Sequence, residues 1–194
     1  MWTLEMEEKR PSKILSFLYI GSREHAKDKK MLLELNIKYI LNCTPKRKDD
    51  PEAGCPNFYE KDKTFVYKRI PLFDNKGEDI LPYMDTAVKF IDEGKHYGSV
   101  LVHCHRGISR SASFVIGFLM KANELTLKEA LDYVQSCRPI VQPNSSFLSQ
   151  LELYEQQISS KPKSPETKSK KRNIDAISSD DLAPDIGPST TDRT

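Results

Sequence analysis

The sequence predicts an α/β fold, in which a central, mostly parallel sheet is flanked by helices in a three-layer sandwich. Strand-like apolar segments alternate with helix-like segments along most of the chain, and no internal repeat is evident. The chain has 194 residues, of which 38% are hydrophobic and 30% charged. These values are typical of one soluble globular domain with a disordered fraction.

The charge balance and the cysteines exclude several protein classes. The net charge is only +2, so no global charge excess indicates binding to nucleic acid or to an anionic membrane. The apolar runs are too short to span a bilayer, and MWTLEMEEKR at the start lacks the apolar core of a signal peptide. Four widely and irregularly spaced cysteines (Cys43, Cys55, Cys104 and Cys137) are therefore expected to be reduced thiols of a cytoplasmic or nuclear protein.

The first half of the chain predicts three strands and one helix. ILSFLYIGS is a strand closed by a turn at Gly21, KDKKMLLELN is a helix that stops at Asn36, and IKYILNC is the next strand. TPKRKDDPEAGCPNFYEKDK is long for a connection and rich in Pro, Gly, Asp and Lys, which predicts a surface insertion. Cys55 lies in this insertion and is expected to be exposed. TFVYKRIPL is the third strand.

The second half predicts one strand and four helices. Apolar residues recur at helical spacing from Asp79 to Gly94, and the short buried strand SVLVHC follows. The next helices are expected from Ser111 to Ala122 and in TLKEALDYVQS, where Thr126 and Glu129 form a capping box. The apolar face of the last helix is formed by Phe147, Leu151, Tyr154 and Ile158.

The composition changes from Lys161 onward, where aromatic residues are absent and Ser, Thr, Pro and charged residues dominate. We therefore predict an N-terminal extension at 1–11, one folded domain at 12–158 and a disordered tail at 159–194. The basic cluster KSKKR at 168–172 is either solvated charge or a nuclear-import signal.

The segment HCHRGISRS, residues 103–111, joins the strand SVLVHC to the following helix. Gly107 permits a sharp bend, so successive backbone N–H groups can point into one concavity that binds an anion. The helix N-terminus adds a positive dipole end, and Arg110 can bind two phosphate oxygens. These positive surroundings predict a lowered pKa for Cys104, which favours its thiolate form. The segment therefore predicts a phosphate-binding cup with a nucleophile at its base.

Two other interpretations of Cys104 explain less of the pattern. An inert buried thiol needs neither Gly107 nor Arg110 nearby. A metal site would use Cys104 with His103 and His105, but adjacent strand residues point to opposite faces, and no second ligand pair completes a tetrahedral site.

The pattern Cys-x5-Arg, preceded by histidine and followed by serine, resembles the signature of cysteine-dependent protein phosphatases, and HCHRGISRS resembles their dual-specificity subfamily. LYIGS, IKYILN and PNSSFLSQLELYE extend the resemblance over about residues 12–158. The chain is similar to the catalytic domains of MAP kinase phosphatases and of small atypical members. The resemblance implies a phosphatase-type sandwich, no metal or other cofactor, and hydrolysis of phosphotyrosine, phosphoserine and phosphothreonine through a phosphocysteine.

The resemblance also implies roles for residues outside the cup. Asp74 stands on a loop about thirty residues before Cys104, where the family has its general acid. Asp79 and Asp85 compete for this role. A helix N-cap would explain Asp79 as well, and a solvated helix face would explain Asp85. Ser111 resembles the hydroxyl that stabilises the departing thiolate, and His103 resembles the histidine that tunes the cysteine from behind.

Further residues near the cup also have expected roles. Asn144 resembles an asparagine that braces the active-site loops, while His105 is expected to contribute only its backbone N–H. Cys43 and Cys137 are either ordinary buried thiols or partners of Cys104 in a reversible disulfide. The phosphate-binding loop comprises His105, Arg106, Gly107, Ile108, Ser109 and Arg110.

The implied substrates are phosphoproteins, with MAP kinases as one possibility, and neither nucleic acid nor a membrane is an expected partner. A phosphoinositide phosphatase is an alternative, but such enzymes tend to carry lysines at the variable loop positions, where only Arg106 is basic here. The other alternative is a phosphoprotein-binding module without activity. The presence of Cys104, Arg110 and Asp74 favours an active enzyme.

Overall fold

The computed structural model describes residues 9–160, which form a five-stranded sheet with helices on both faces. The strands are β1 (Ser12–Leu15), β2 (Leu18–Gly21), β3 (Ile37–Asn42), β4 (Val66–Arg69) and β5 (Ser99–His103). Their order in the sheet is β1-β2-β5-β3-β4. The β1–β2 pair is antiparallel and the other three pairs are parallel, which confirms the mostly parallel sheet.

The helices are α1 (Arg23–Lys27), α2 (Lys29–Glu34), α3 (Leu81–Gly94), α4 (Arg110–Ala122), α5 (Leu127–Cys137) and α6 (Ser145–Ser160). The capping box of Thr126 and Glu129 is confirmed, since each residue bonds the other's backbone N–H. Two features differ from the prediction. The first strand is a hairpin of β1 and β2, and the extra helix α1 precedes α2.

Alternate residues of the strands face two separate apolar clusters. In β5, Val100 and Val102 pack under the helices α3 to α6, whereas Leu101 faces the opposite side of the sheet. The smaller cluster on that side contains Tyr19, Ala26, Leu32, Ile37, Ile40, Phe65 and Leu101. Both faces of the sheet are covered, so the central strands consist mostly of apolar residues and the three-layer prediction holds.

The prediction that Cys55 is exposed is wrong. The segment 44–63 folds back onto the carboxyl edge of the sheet, and Cys55 is fully buried there. Asn42, at the end of β3, donates from Nδ2 to the Cys55 carbonyl at 3.1 Å, and Arg69, at the end of β4, donates to the same carbonyl at 2.9 Å. Both side chains also contact the Asn57 Oδ1 atom. These polar anchors bury a segment whose composition resembles that of an exposed loop.

The tail from residue 161, including the KSKKR cluster, lies outside the described residues, as do the first eight residues. Within 9–160, no helix is both long and apolar enough to cross a membrane.

Candidate active site

The loop between β5 and α4 forms the floor of a cavity of about 240 Å³ at the carboxyl edge of the parallel strands. Parallel α/β sheets commonly bind their ligands at this edge. The cavity is lined by Cys104, by Asp74, by Ala53 from the folded-back segment, and by five residues of the predicted loop: His105, Arg106, Ile108, Ser109 and Arg110.

The Cys104 thiol lies almost fully buried at the base of this cavity, with 2% of the residue exposed. The Gly107 N–H donates to its Sγ at 3.2 Å, and the Ser111 hydroxyl donates to it at 3.3 Å. Burial by itself raises the pKa of this thiol, but the Arg110 charge and the donors from Ser111 and Gly107 outweigh burial and lower the pKa below its ordinary value. The site therefore favours a thiolate.

The other buried cysteines show what these donors contribute. Burial raises the pKa of Cys43 well above its ordinary value and also raises that of Cys55. The Cys43 thiol donates to the Leu41 carbonyl, and the Cys55 thiol donates to the carbonyls of Ala53 and Cys104. The Cys104 sulfur instead accepts from Gly107 and Ser111. Cys137 is partly exposed at the end of α5, and burial likewise raises its pKa. All four cysteines are free thiols, and only Cys104 has a lowered pKa.

Two groups hold the loop in its bent shape. Gly107 has a φ of 72°, and a Cβ at this position would lie 2.6 Å from the Gly21 carbonyl oxygen, so a side chain is excluded both sterically and by backbone conformation. Arg138, at the end of α5, donates from Nε to the Gly107 carbonyl at 2.9 Å and from Nη2 to the Arg106 carbonyl at 3.2 Å. Sequence reasoning missed Arg138, because a single arginine after a helix carries no distinctive signal.

Arg110 connects the loop to the segment that carries Asp74. The arginine is 3% exposed, and its Nη1 donates to the Leu72 carbonyl at 3.1 Å. Its Nε lies 3.6 Å from the Asp74 Oδ2 atom. These contacts fix the plane of the guanidinium, so a bound phosphate would meet an oriented donor group.

Asp74 is held at the rim of the cavity by three neighbours. Its Oδ1 accepts from the Ser109 hydroxyl at 2.8 Å and from the Asn144 Nδ2 at 3.0 Å, and Arg110 lies beside its other oxygen. Asp79, a competing candidate, does not line the cavity. Its carboxylate accepts from the Leu81 N–H at 3.0 Å, at the start of α3. The geometry therefore favours Asp74 as the acid of this site.

The two histidines beside Cys104 occupy different environments. His103 is fully buried, and its Nδ1 donates to the Cys104 carbonyl at 3.3 Å. Burial lowers the pKa of His103 to about 4, so its ring is neutral at physiological pH. His105 lines the cavity and its Nδ1 atom is buried, and the expectation that it contributes only its backbone N–H stays a prediction.

The arrangement suits nucleophilic attack on a phosphate ester. A sulfur that favours the thiolate lies at the floor, a guanidinium beside it can compensate phosphate charge, and a carboxylate at the rim can exchange a proton. Among residues 9–160, His, Cys, Asp and Glu side chains form no group of three or more that could hold a metal ion.

We expect Ser111→Ala to raise the pKa of Cys104, because it removes a donor that stabilises the thiolate. Alkylation by iodoacetamide needs the thiolate, so the acidic limb of its pH profile should move to higher pH by about one unit, the size of one hydrogen bond to an anion. Ser113→Ala is a matched control, since that buried hydroxyl donates to the Ser109 carbonyl at 3.0 Å instead. An unmoved limb in Ser111→Ala would contradict this account of the thiol.

Comparison with known proteins connects this geometry to a family. The family model described as "Dual specificity phosphatase, catalytic domain" matches residues 18–157. The mouse protein "Dual specificity protein phosphatase 1" is 42% identical over 149 residues, which cover 76% of this chain and 38% of that protein. The chain thus spans less than half the length of this relative.

Solved structures show the same architecture. The crystal structure of human DUSP28 superposes with a TM-score of 0.69 at 26% sequence identity, covering 76% of this chain and 97% of that one. The crystal structure of the human "tyrosine phosphatase-like serine/threonine/tyrosine-interacting protein" gives a TM-score of 0.68 at 32% identity, with the same two coverages.

Proposed function

Since the chain belongs to the dual specificity phosphatase catalytic domain family, we propose that it is a protein phosphatase that hydrolyses phosphotyrosine, phosphoserine and phosphothreonine. One observation carries the proposal. Cys104 is buried, has a lowered pKa and lies at the base of a cavity that also presents Arg110 and Asp74. This combination provides a nucleophile, an anion-binding group and a proton donor around one reacting phosphorus.

The first step transfers the phosphoryl group to the protein. The Arg110 guanidinium and the loop N–H groups bind the non-bridging oxygens, and the Cys104 thiolate attacks the phosphorus in line with the ester oxygen. The S–P bond forms while the P–O ester bond breaks. Asp74 enters this step protonated and gives its proton to the departing alkoxide or phenoxide.

The second step releases inorganic phosphate. The Asp74 carboxylate takes a proton from a water molecule, and the resulting oxygen attacks the phosphorus of the phosphocysteine. The S–P bond breaks and the electron pair returns to sulfur. The Ser111 hydroxyl and the Gly107 N–H, which already donate to Sγ, stabilise the departing Cys104 thiolate.

Supporting residues act through these groups. Asn144 donates to Asp74 from its side chain and to the Ser109 hydroxyl from its backbone N–H at 3.2 Å, so it links the acid to the loop. His103 is neutral and lies behind the loop, where its bond to the Cys104 carbonyl positions the nucleophile without reaching substrate.

We further propose phosphoproteins as the substrates, with MAP kinases among the candidates because of the resemblance to their phosphatases. A compact domain with an open cup admits the short side chains of phosphoserine and phosphothreonine as well as phosphotyrosine. Hydrolysis of defined phosphopeptides tests this proposal. Exclusive hydrolysis of phosphoinositides would favour the lipid alternative, and binding without turnover would leave a phosphoprotein-binding module.

We expect Asp74→Asn to lower kcat for a phosphoserine peptide by about 100-fold, within the usual range for loss of a general acid. The loss should be smaller for para-nitrophenyl phosphate, because its leaving group needs less help from a proton. The alkaline limb of the pH profile should also disappear, since it reports deprotonation of the acid. Asp79→Asn is the matched control. If that variant loses the alkaline limb instead, Asp79 is the acid.

A further inference from the structure

The loop that carries Asp74 runs along the surface between two buried residues. Leu72 and Ile80 have 1% and 0% of their surface exposed, whereas residues 73–79 are mostly exposed. Apolar packing therefore holds mainly the two ends of this loop, and polar contacts decide the course of the chain between them. The course matters for a general acid, because a displacement of about 1 Å can cost about 100-fold in rate.

Two polar contacts of this loop come from α6 and the residue before it. The Asn144 side chain bonds Asp74 directly. One and a half turns further along the helix, the Gln150 Nε2 atom donates to the Glu78 carbonyl at 2.8 Å. The Gln150 Oε1 atom accepts from the Ile80 N–H at 2.7 Å. One amide thus holds the backbone on both sides of residue 79, a few residues after Asp74.

The Gln150 amide suits this position chemically and is itself rigidly placed. The Glu78 carbonyl needs a donor and the Ile80 N–H needs an acceptor, and an amide offers both on one planar group. Gln150 lies between Phe147 and Leu151 in sequence, and both of these residues are fully buried on α6. The contact therefore ties the exposed loop to a helix that is anchored in the core.

We propose that Gln150 is a positioning residue for the general acid. By holding residues 78–80, it keeps the loop in the conformation in which Asp74 lies at the cavity rim. The inference rests on the proposed function, since it requires Asp74 to protonate the leaving oxygen. Gln150 does not line the cavity, and it contacts the loop through backbone atoms, so it acts through the loop and not on the substrate.

A displaced acid affects substrates according to their leaving groups. The alkoxide of phosphoserine needs a proton when it departs, whereas para-nitrophenolate needs much less help. Gln150→Met removes both hydrogen bonds and keeps an unbranched side chain. We expect kcat for a phosphoserine peptide to fall by about tenfold, and kcat for para-nitrophenyl phosphate to change by less than about twofold. The pH profile of Cys104 alkylation should not move, because the cup is intact.

A double-mutant cycle with Asp74→Asn separates positioning of the acid from general stabilisation of the domain. If Gln150 acts through Asp74, its removal costs nothing further once the acid is absent, so the two losses are not additive. An amide that only stabilises the domain would lower kcat for both substrates, and by the same factor in either background. Kinetics of the wild type, both single variants and the double variant measure this coupling.

Two further variants support the test. Gln156→Met is the matched control, because Gln156 is exposed on the same helix, and its kcat should equal that of the wild type. Gln150→Glu can still accept from the Ile80 N–H but cannot donate to the Glu78 carbonyl, so it should also lose kcat for the phosphoserine peptide alone. Thermal melting verifies that each variant is folded, and Gln150→Glu carries the test if Gln150→Met does not fold.

The role of Gln150 is supported by a loss that is confined to the phosphoserine peptide and vanishes in the Asp74→Asn background. It is overturned if Gln150→Met equals the Gln156→Met control, if both substrates lose the same factor, or if the loss is undiminished without Asp74. In these three cases, hydrolysis of the phosphoserine peptide by the wild type leaves the proposed function intact. If the wild type hydrolyses neither substrate, the proposed function is wrong and the role of Gln150 is wrong with it.

Discussion

Cys104→Ser should lower turnover by about 10⁴-fold or more, as expected when the nucleophile of a covalent mechanism is removed. A serine hydroxyl fits the same space, but the donors that stabilise a thiolate cannot ionise it at neutral pH. Binding of a tetrahedral oxyanion such as tungstate should persist, because Arg110 and the loop N–H groups are retained. Hydrolysis of para-nitrophenyl phosphate and tungstate titration measure the two effects.

Cys137→Ser provides the control for this substitution. Cys137 lies at the end of α5, is partly exposed and contributes nothing to the cavity lining. We expect the turnover of the Cys137→Ser protein to match that of the wild type. If Cys104→Ser keeps a large part of the wild-type turnover, the sulfur is not the nucleophile.

Arg110→Lys should lower kcat/KM by about 10³-fold, although the positive charge is kept. A lysine offers a point charge and cannot hold two phosphate oxygens while it also bonds the Leu72 carbonyl. Arg110→Met removes both the charge and the geometry. We therefore expect the pKa of Cys104 to rise in Arg110→Met and to stay close to the wild-type value in Arg110→Lys.

Alkylation profiles and phosphopeptide kinetics on both variants separate these two contributions. Arg47→Lys is the matched control, since Arg47 is exposed in the folded-back segment 44–63 and outside the cavity lining. If Arg110→Lys and Arg47→Lys have the same kcat/KM, bidentate phosphate binding by Arg110 is wrong.

The features that could be predicted from sequence are those that depend on local pattern. The β5 strand is a run of apolar residues, and the adjoining loop is recognisable because Gly107 and Arg110 stand at fixed distances from Cys104. The position of Asp74, about thirty residues before Cys104, predicts its role only through the family resemblance. Its contacts with Ser109 and Asn144 join residues 35 and 70 positions away, and no local pattern encodes them.

The features that sequence reasoning missed depend on long-range polar contacts. Cys55 is buried because Asn42 and Arg69 donate to its carbonyl from two strand ends. Arg138 holds the catalytic loop from a position 31 residues beyond Gly107. Composition describes the average surroundings of a segment, so it cannot reveal that a loop rich in polar residues folds back onto a sheet.

In the proposed mechanism, phosphate passes through a covalent bond to Cys104. A rapid denaturing quench of wild-type protein with a phosphopeptide, followed by peptide mapping in a mass spectrometer, tests it directly. We expect a phosphoryl group on the fragment that contains Cys104 in the wild-type protein, and none on the corresponding fragment of Cys104→Ser. Efficient single-turnover hydrolysis with no phosphoryl group on that fragment, or with one on a different residue, would contradict the account.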